Sequence, residues 1–252
     1  MPRPGRRKQL QAGGRECVYC GRVGETTADH VVPRCLFQPP LPDDMITVPA
    51  CRKCNEKKGT SDSFLRDFLV CDSSAAPNLI ADGIRAGAYE RARKSGRSEL
   101  WKMLNSKELS KLTASNGDID LGFIFDMPIS RGPIKAAITH IVKGIHYRLN
   151  SRRIPDNQTF LVGVVPSREV LASQYAQLKS WGHVGSAKIG DNKVFSCFGG
   201  LYTTDEEAFA ASIWGLLFYD RYYIGCITLA PSLTKHINHR FKTSYLSSDK
   251  ES

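Results

Sequence analysis

Two cysteine pairs, Cys17-Val18-Tyr19-Cys20 and Cys51-Arg52-Lys53-Cys54, offer four thiols. Each Cys-x-x-Cys is a turn that aims two sulfurs at one centre, and four thiolates are the ligand count of a tetrahedral structural zinc site. Such a metal ties together segments about thirty residues apart. A module this small buries little apolar surface, so zinc is expected to supply folding energy that burial cannot. Between the pairs, Thr26 to Pro33 carries an acid and an imidazole side by side at Asp29-His30. Asn55 follows the second pair directly, ahead of Lys57 and Lys58. Histidine ordinarily titrates at about pH 6.5, so it can accept a proton near neutral pH. Asp29 and Asn55 are oxygen donors suited to a hard cation such as Mg²⁺ or Mn²⁺, which thiolates are not. Taken singly, an Asp-His pair is usually a surface pair and an Asn after Cys a cap or turn residue. Their place between and beside two zinc half-sites gives them weight.

In order and spacing, Cys-x-x-Cys, Asp-His-x-x-Pro and Cys-x-x-Cys-Asn-x-x-Lys-Gly resemble the HNH endonucleases, also called ββα-metal or His-Me finger nucleases. The resemblance covers about a fifth to a quarter of the chain. It implies that His30 is a general base activating water, that Asp29 and Asn55 hold one catalytic Mg²⁺ or Mn²⁺, and that Cys17, Cys20, Cys51 and Cys54 hold structural zinc. It further implies a metal-dependent endonuclease acting on phosphodiester bonds, with double-stranded DNA as the expected partner ahead of RNA. A bacterial or phage setting, in defence against phage or in element mobility, goes with that expectation. The residue types suit the reaction independently: it needs a deprotonated nucleophile, and positive charge where oxygens gain negative charge. The chain departs from the family at the middle Asn before the second strand, which would fall near Met45-Ile46; Asp43 or Asp44 is the candidate to brace that loop instead.

The wider chain agrees with a polyanionic partner. Its 252 residues carry a formal net charge of +10, with a pI of about 9.3, a balance that attracts nucleic acid. Arg34, Arg52, Lys53, Lys57 and Lys58 are placed to neutralise phosphates around the site. Residues 1–14 read as a basic arm without packed structure: Arg3, Arg6, Arg7 and Lys8 stand among Gly and Pro with no acid. No run approaches the ~20 apolar residues needed to cross a bilayer, so no membrane association and a cytoplasmic location are expected. The paired cysteines fit a reducing compartment. Cys35, Cys71, Cys197 and Cys226 are read as small buried or half-buried apolar residues.

The elements that must position these groups form an α+β chain. Residues 15–72 read as a zinc-stapled strand-loop-strand-helix clamp: strands at Thr26 to Pro33 and Ile46 to Pro49, then a short helix from Cys51 that Gly59 stops. Ser61-Asp62-Ser63 is expected to cap a second short helix through Phe64, Leu65, Phe68 and Leu69. Asp72 to Pro77 reads as a boundary. Residues 73–252 are expected to form a helical, then α+β, domain with a largely antiparallel sheet that selects target or partner, or oligomerises. Its elements are helices over 78–105 and 133–149, a loop at Gly117-Asp118, a strand over 159–165 and a helix over 168–181. Strands then flank Gly190-Asp191-Asn192, a helix covers 205–211, and a hairpin over 214–229 turns at Asp220-Arg221. Aromatic residues at 218–223 are expected in the core rather than stacked on bases. His236 and His239 suit a metal site poorly, since no Cys or carboxylate cluster stands beside them; His140 and His146 are badly spaced for one helix face, and His183 falls in a loop. Two other functions fit the same residues: a catalytically silent zinc-stapled nucleic-acid-binding module, and a nuclease subunit gated by a partner.

Overall fold

A computed structural model describes residues 14–71, 78–95, 108–113, 120–126, 131–164, 176, 184–190, 194–202 and 209–234. The basic arm through residue 13, the boundary at 72–77, the loop at Gly117-Asp118, Asp191-Asn192, His183, His236, His239 and all but residue 176 of the 168–181 helix lie outside the described residues. Among the described residues no helix is long and apolar enough to cross a membrane.

Strand β1 (Arg15–Glu16) pairs antiparallel with β2 (Val23–Gly24) around the first cysteine pair. The turn between them closes by Cys17 N–H to the Arg22 carbonyl and Gly21 N–H to the Cys17 carbonyl, both 2.9 Å. Gly21 adopts φ +72°, a left-handed conformation that glycine takes without a steric penalty, and a Cβ there would run into the Arg153 guanidinium. Strand β3 (Thr27–His30) pairs antiparallel with β4 (Thr47–Ala50), with Asp29 opposite Val48 and His30 opposite Thr47. The two-residue period of a strand places Asp29 and Thr27 on one face and His30 on the other. β3 stops at His30, earlier than the alternation to Pro33 predicts. Val31 and Val32 turn into the core, and Pro33 leads a 3₁₀ turn over Arg34–Leu36.

Helix α1 (Arg52–Cys71) is one element where the sequence suggests two, because it continues through Gly59. A glycine inside a helix costs only about 1 kcal/mol. Downstream, Phe64, Leu65, Leu69 and Val70 are buried, each stabilising by roughly 1.5–3 kcal/mol, so packing carries the helix across. Ser61 and Ser63 do not cap a new helix; their hydroxyls donate back to the carbonyls of Lys58 and Gly59, at 2.9 and 3.0 Å. Helix α2 (Leu79–Ser95) starts at Asn78, whose Oδ1 accepts the N–H groups of Ile80 and Ala81. The remainder of the expected 78–105 helix lies outside the described residues. β5 (Glu108–Thr113) and β6 (Asp120–Asp126) form an antiparallel pair that the sequence reading did not anticipate. Helix α3 (Arg131–Asn150) buries the stripe Ile134, Ala137, Ile138, Ile141 and Ile145 that its spacing predicts, together with Val142.

The C-terminal part is a five-stranded, wholly antiparallel sheet. Strands β7 (Thr159–Val164), β8 (Val184–Ile189), β9 (Phe195–Tyr202), β10 (Ala211–Phe218) and β11 (Tyr222–Leu229) lie in the order β7-β11-β10-β9-β8. The expected strand and hairpins are present. The helix expected over 205–211 is corrected at its described end: Phe209 lies in a turn and Ala210 in a bend, and Ala211 opens β10 opposite Tyr202. The short helix α4 (Pro231–Thr234) follows. Tyr219 and Asp220 both take positive φ at the β10–β11 turn, 54° and 55°. For a tyrosine this is costly, and three bonds hold it: its N–H to the Val194 carbonyl, its hydroxyl to the Leu36 carbonyl, and its own carbonyl accepting from Asn78. Phe218, Tyr219 and Tyr222 are core residues.

One contiguous cluster runs from Cys17 and Val31 through Leu65, Ile138 and Ile141 to Trp214 and Cys226. α3 is its centre, packing on α1, β4, β7 and β11.

Candidate metal centre and the Asp29–His30 cluster

The knuckle between β1 and β2 and the start of α1 bring Cys17, Cys20, Cys51 and Cys54 together, with all four sulfurs within 4.8 Å of one another. Cys20 Sγ and Cys51 Sγ are 3.8 Å apart. A tetrahedron with metal–sulfur bonds of about 2.3 Å has edges of about 3.8 Å, so the spacing fits a single zinc ion. Burial pushes the Cys17 and Cys54 thiols up. Cys51, against the effect of its own desolvation, is drawn down to about 7 by the Cys54 backbone N–H and the surrounding thiols. A divalent cation resolves this crowding, because it takes the ligands as thiolates. Cys197 and Cys226 are buried and Cys35 is half-buried, as small apolar residues are.

The acid of the Asp29-His30 pair faces inward. Asp29 is 6% exposed; its Oδ2 accepts the Tyr19 hydroxyl at 2.6 Å and lies 3.4 Å from Lys58 Nζ. Burial, and then the Asp29 charge, push the Tyr19 phenol far above its ordinary range, so it remains a donor. His30 is half-buried on the opposite face of β3. Asn55, on the first turn of α1, donates from Nδ2 to Thr27 Oγ1 at 3.1 Å. The helix and the strand carrying Asp29 and His30 are thereby joined by a side-chain bond. The position where an Asn was expected is occupied by Ile46, whose carbonyl accepts the Val31 N–H at 2.9 Å, so backbone braces the exit from His30. Asp44, two residues before Ile46, ties the same end of this loop to the end of β8, its carboxylate accepting the Gly190 N–H at 2.9 and 3.0 Å.

Of the expected phosphate contacts, Arg34, Arg52, Lys53 and Lys57 are exposed. Arg52 is paired with Glu56 at 2.7 Å. Lys58 is placed differently from a surface contact: at 2% exposure its ammonium bonds the His30 carbonyl at 2.6 Å and lies 3.1 Å from Asp62 as well as beside Asp29. The reason is helical phase, since Lys58 stands seven residues before Leu65 on the buried face of α1 and seven after the buried Cys51 that precedes the helix. An open depression of about 390 Å³ beside Cys51 is lined by Arg22, Arg52, Lys53, Glu25 and Glu56.

Tyr19, Lys58 in its buried role, Asp62 and α3 were not recognised from sequence as parts of this cluster. His140 meets the Tyr19 ring edge-on at 5.0 Å, and Lys143 donates to the Tyr19 carbonyl at 3.2 Å. Burial, with Lys58 and Lys143 nearby, lowers His140 to about 4 and keeps it neutral. Comparison with protein-family models, with curated proteins and with solved structures gives no match.

Proposed function

We propose that this chain is a metal-dependent endonuclease of the HNH type, hydrolysing phosphodiester bonds in DNA in preference to RNA. The observation that carries this reading is the joining of three groups on one strand-strand-helix unit beside the Cys₄ cluster. Asp29 and His30 are adjacent on β3, and Asn55 of α1 is bonded to Thr27 of the same strand. His30, on the face opposite the buried acid, takes the proton from the attacking water. Asp29 and Asn55 are the residues that would hold Mg²⁺ or Mn²⁺. Both offer an oxygen: among the described residues no hydrogen bond engages Asp29 Oδ1 or Asn55 Oδ1. When bound, such an ion would supply positive charge where the phosphate and leaving oxygens gain negative charge. Arg34, Arg52, Lys53 and Lys57 are exposed donors for the flanking phosphates, and the excess positive charge of the chain steers it to a polyanion.

The test is nicking and linearisation of supercoiled plasmid by wild type and His30→Ala, with EDTA, Mg²⁺ or Mn²⁺, and with zinc assayed in both. Metal-dependent cutting that disappears in the variant while zinc is retained establishes nuclease and base. Salt-sensitive DNA binding without cutting by zinc-loaded wild type replaces this reading with a silent binding module. Cutting that appears only with a cellular partner replaces it with a gated subunit.

A further inference from the structure

Among the described residues, the Asp29 carboxylate is held by one oxygen only. Tyr19 Oη, at 2.6 Å, and Lys58 Nζ, at 3.4 Å, both address Oδ2. From this asymmetry we infer that Tyr19 and Lys58 are positioning residues: they lock Oδ2 so that Asp29 presents Oδ1 alone to a hard divalent cation. The cation comes from the endonuclease reading above; the clamp is a property of the cluster itself.

The electrostatics of the cluster favour that arrangement. A lysine at 2% exposure must have its charge paired, and Lys58 has three acceptors: Asp29, Asp62 at 3.1 Å and the His30 carbonyl at 2.6 Å. One ammonium between two carboxylates leaves one negative charge uncompensated when both are ionised. That charge attracts a cation towards the Asp29 and Asn55 oxygens that no hydrogen bond among the described residues engages. The ammonium also fixes the backbone of His30, so the same side chain orients both the acid and the residue bearing the imidazole. Tyr19 is in turn fixed from α3, by His140 against its ring and Lys143 on its carbonyl. A carboxylate gripped at one oxygen cannot rotate to offer both, which limits it to monodentate ligation and leaves the remaining positions for water, Asn55 and phosphate oxygens.

The experiment measures Mn²⁺ binding to zinc-loaded full-length protein, by the loss of the free-Mn²⁺ electron paramagnetic resonance signal, alongside plasmid nicking as a function of Mn²⁺. The variants are Tyr19→Phe, the double variant Lys58→Met/Asp62→Asn, which leaves one fewer unpaired buried charge than Lys58→Met alone, and Asp29→Asn as reference. Tyr19→Phe is expected to weaken Mn²⁺ binding about tenfold, and the double variant at least as much, each with zinc content at the wild-type value. The Mn²⁺ needed for half-maximal nicking rises in parallel. If wild type binds Mn²⁺ and cuts, Asp29→Asn loses both, and the clamp variants bind Mn²⁺ as wild type does, the clamp is overturned while the endonuclease reading stands. If wild type neither binds Mn²⁺ nor cuts, both fall together. Should Tyr19→Phe lose zinc, the double variant alone decides.

Discussion

Gly144 of α3 lies directly against Val31, the residue that follows His30: a Cβ at position 144 would sit 2.7 Å from both Val31 γ-carbons. The helix and the strand exit approach this closely because residue 144 has no side chain. Gly144→Ala must push Val31 away or shift α3. Overpacking of this kind costs typically about 1–3 kcal/mol, and the expected result is a urea midpoint lowered accordingly. Because Val31 N–H is the bond that braces the end of β3, any nicking established for the wild type is expected to fall in the folded variant. An unchanged midpoint would show that the contact is slack.

The opposite sign is expected at Gly59. A Cβ there meets nothing within 4 Å, and the residue sits inside a continuous α1. Gly59→Ala is therefore expected to stabilise the protein by roughly 0.5–1 kcal/mol. A loss of stability in equilibrium unfolding would mean that α1 breaks at this residue after all.

His146 gives a pH dependence with a definite direction. It is 1% exposed, packed against Phe209 and Trp214, and bonded to Asn150. Burial, then the nearby Arg152 charge, lowers it from 6.5 to about 4. The unfolded chain therefore binds a proton below about pH 6.5 that the native chain refuses until about pH 4. Stability is full above 6.5 and declines as pH falls through that window, by about 2 kcal/mol at pH 5 from this residue. Urea midpoints at pH 7.5 and 5 check this. The decline should shrink in His146→Gln, measured relative to its own value at pH 7.5. Asp62 works against the trend, because burial raises its carboxyl to about 6, so its protonation on the acid side favours the folded state.

Cys20 is the exposed member of the cysteine cluster. Cys20→Ala is expected to reduce bound zinc well below one per chain, measured by atomic emission. Loss of a structural metal belongs with the largest single-residue effects, on the order of 4 kcal/mol or more. Full zinc occupancy in this variant would remove the Cys₄ assignment.

The sequence made the cysteine cluster legible because two close pairs carry their geometry in their spacing. It also made α3 and the hairpins of the sheet legible, through apolar periodicity and turn residues. Lys58 was obscured for a physical reason. Lys57 and Lys58 are neighbours of the same type, and only the seven-residue spacing from Cys51 to Lys58 to Leu65 says which of them turns inward. Asp62, four residues beyond Lys58, then completes an ion pair that read as part of a helix cap. Tyr19 was hidden inside the variable positions of a Cys-x-x-Cys, where no periodicity speaks for it. The continuity of α1 through Gly59 and the shared core were set by long-range packing, which local propensity does not report.

The hydroxyl of Tyr219 closes a bond to the carbonyl of Leu36 across 183 residues of chain. On a ribosome adding roughly 5–20 residues per second, that partner arrives about 9 to 37 s after Leu36 has been made. The four cluster cysteines all precede residue 55, so a nascent chain presents the complete Cys₄ set long before α3 and the β10–β11 turn exist to buttress it. The Cys₄ segment is thus made first and waits, with its apolar underside uncovered, for the part of the chain that packs against it.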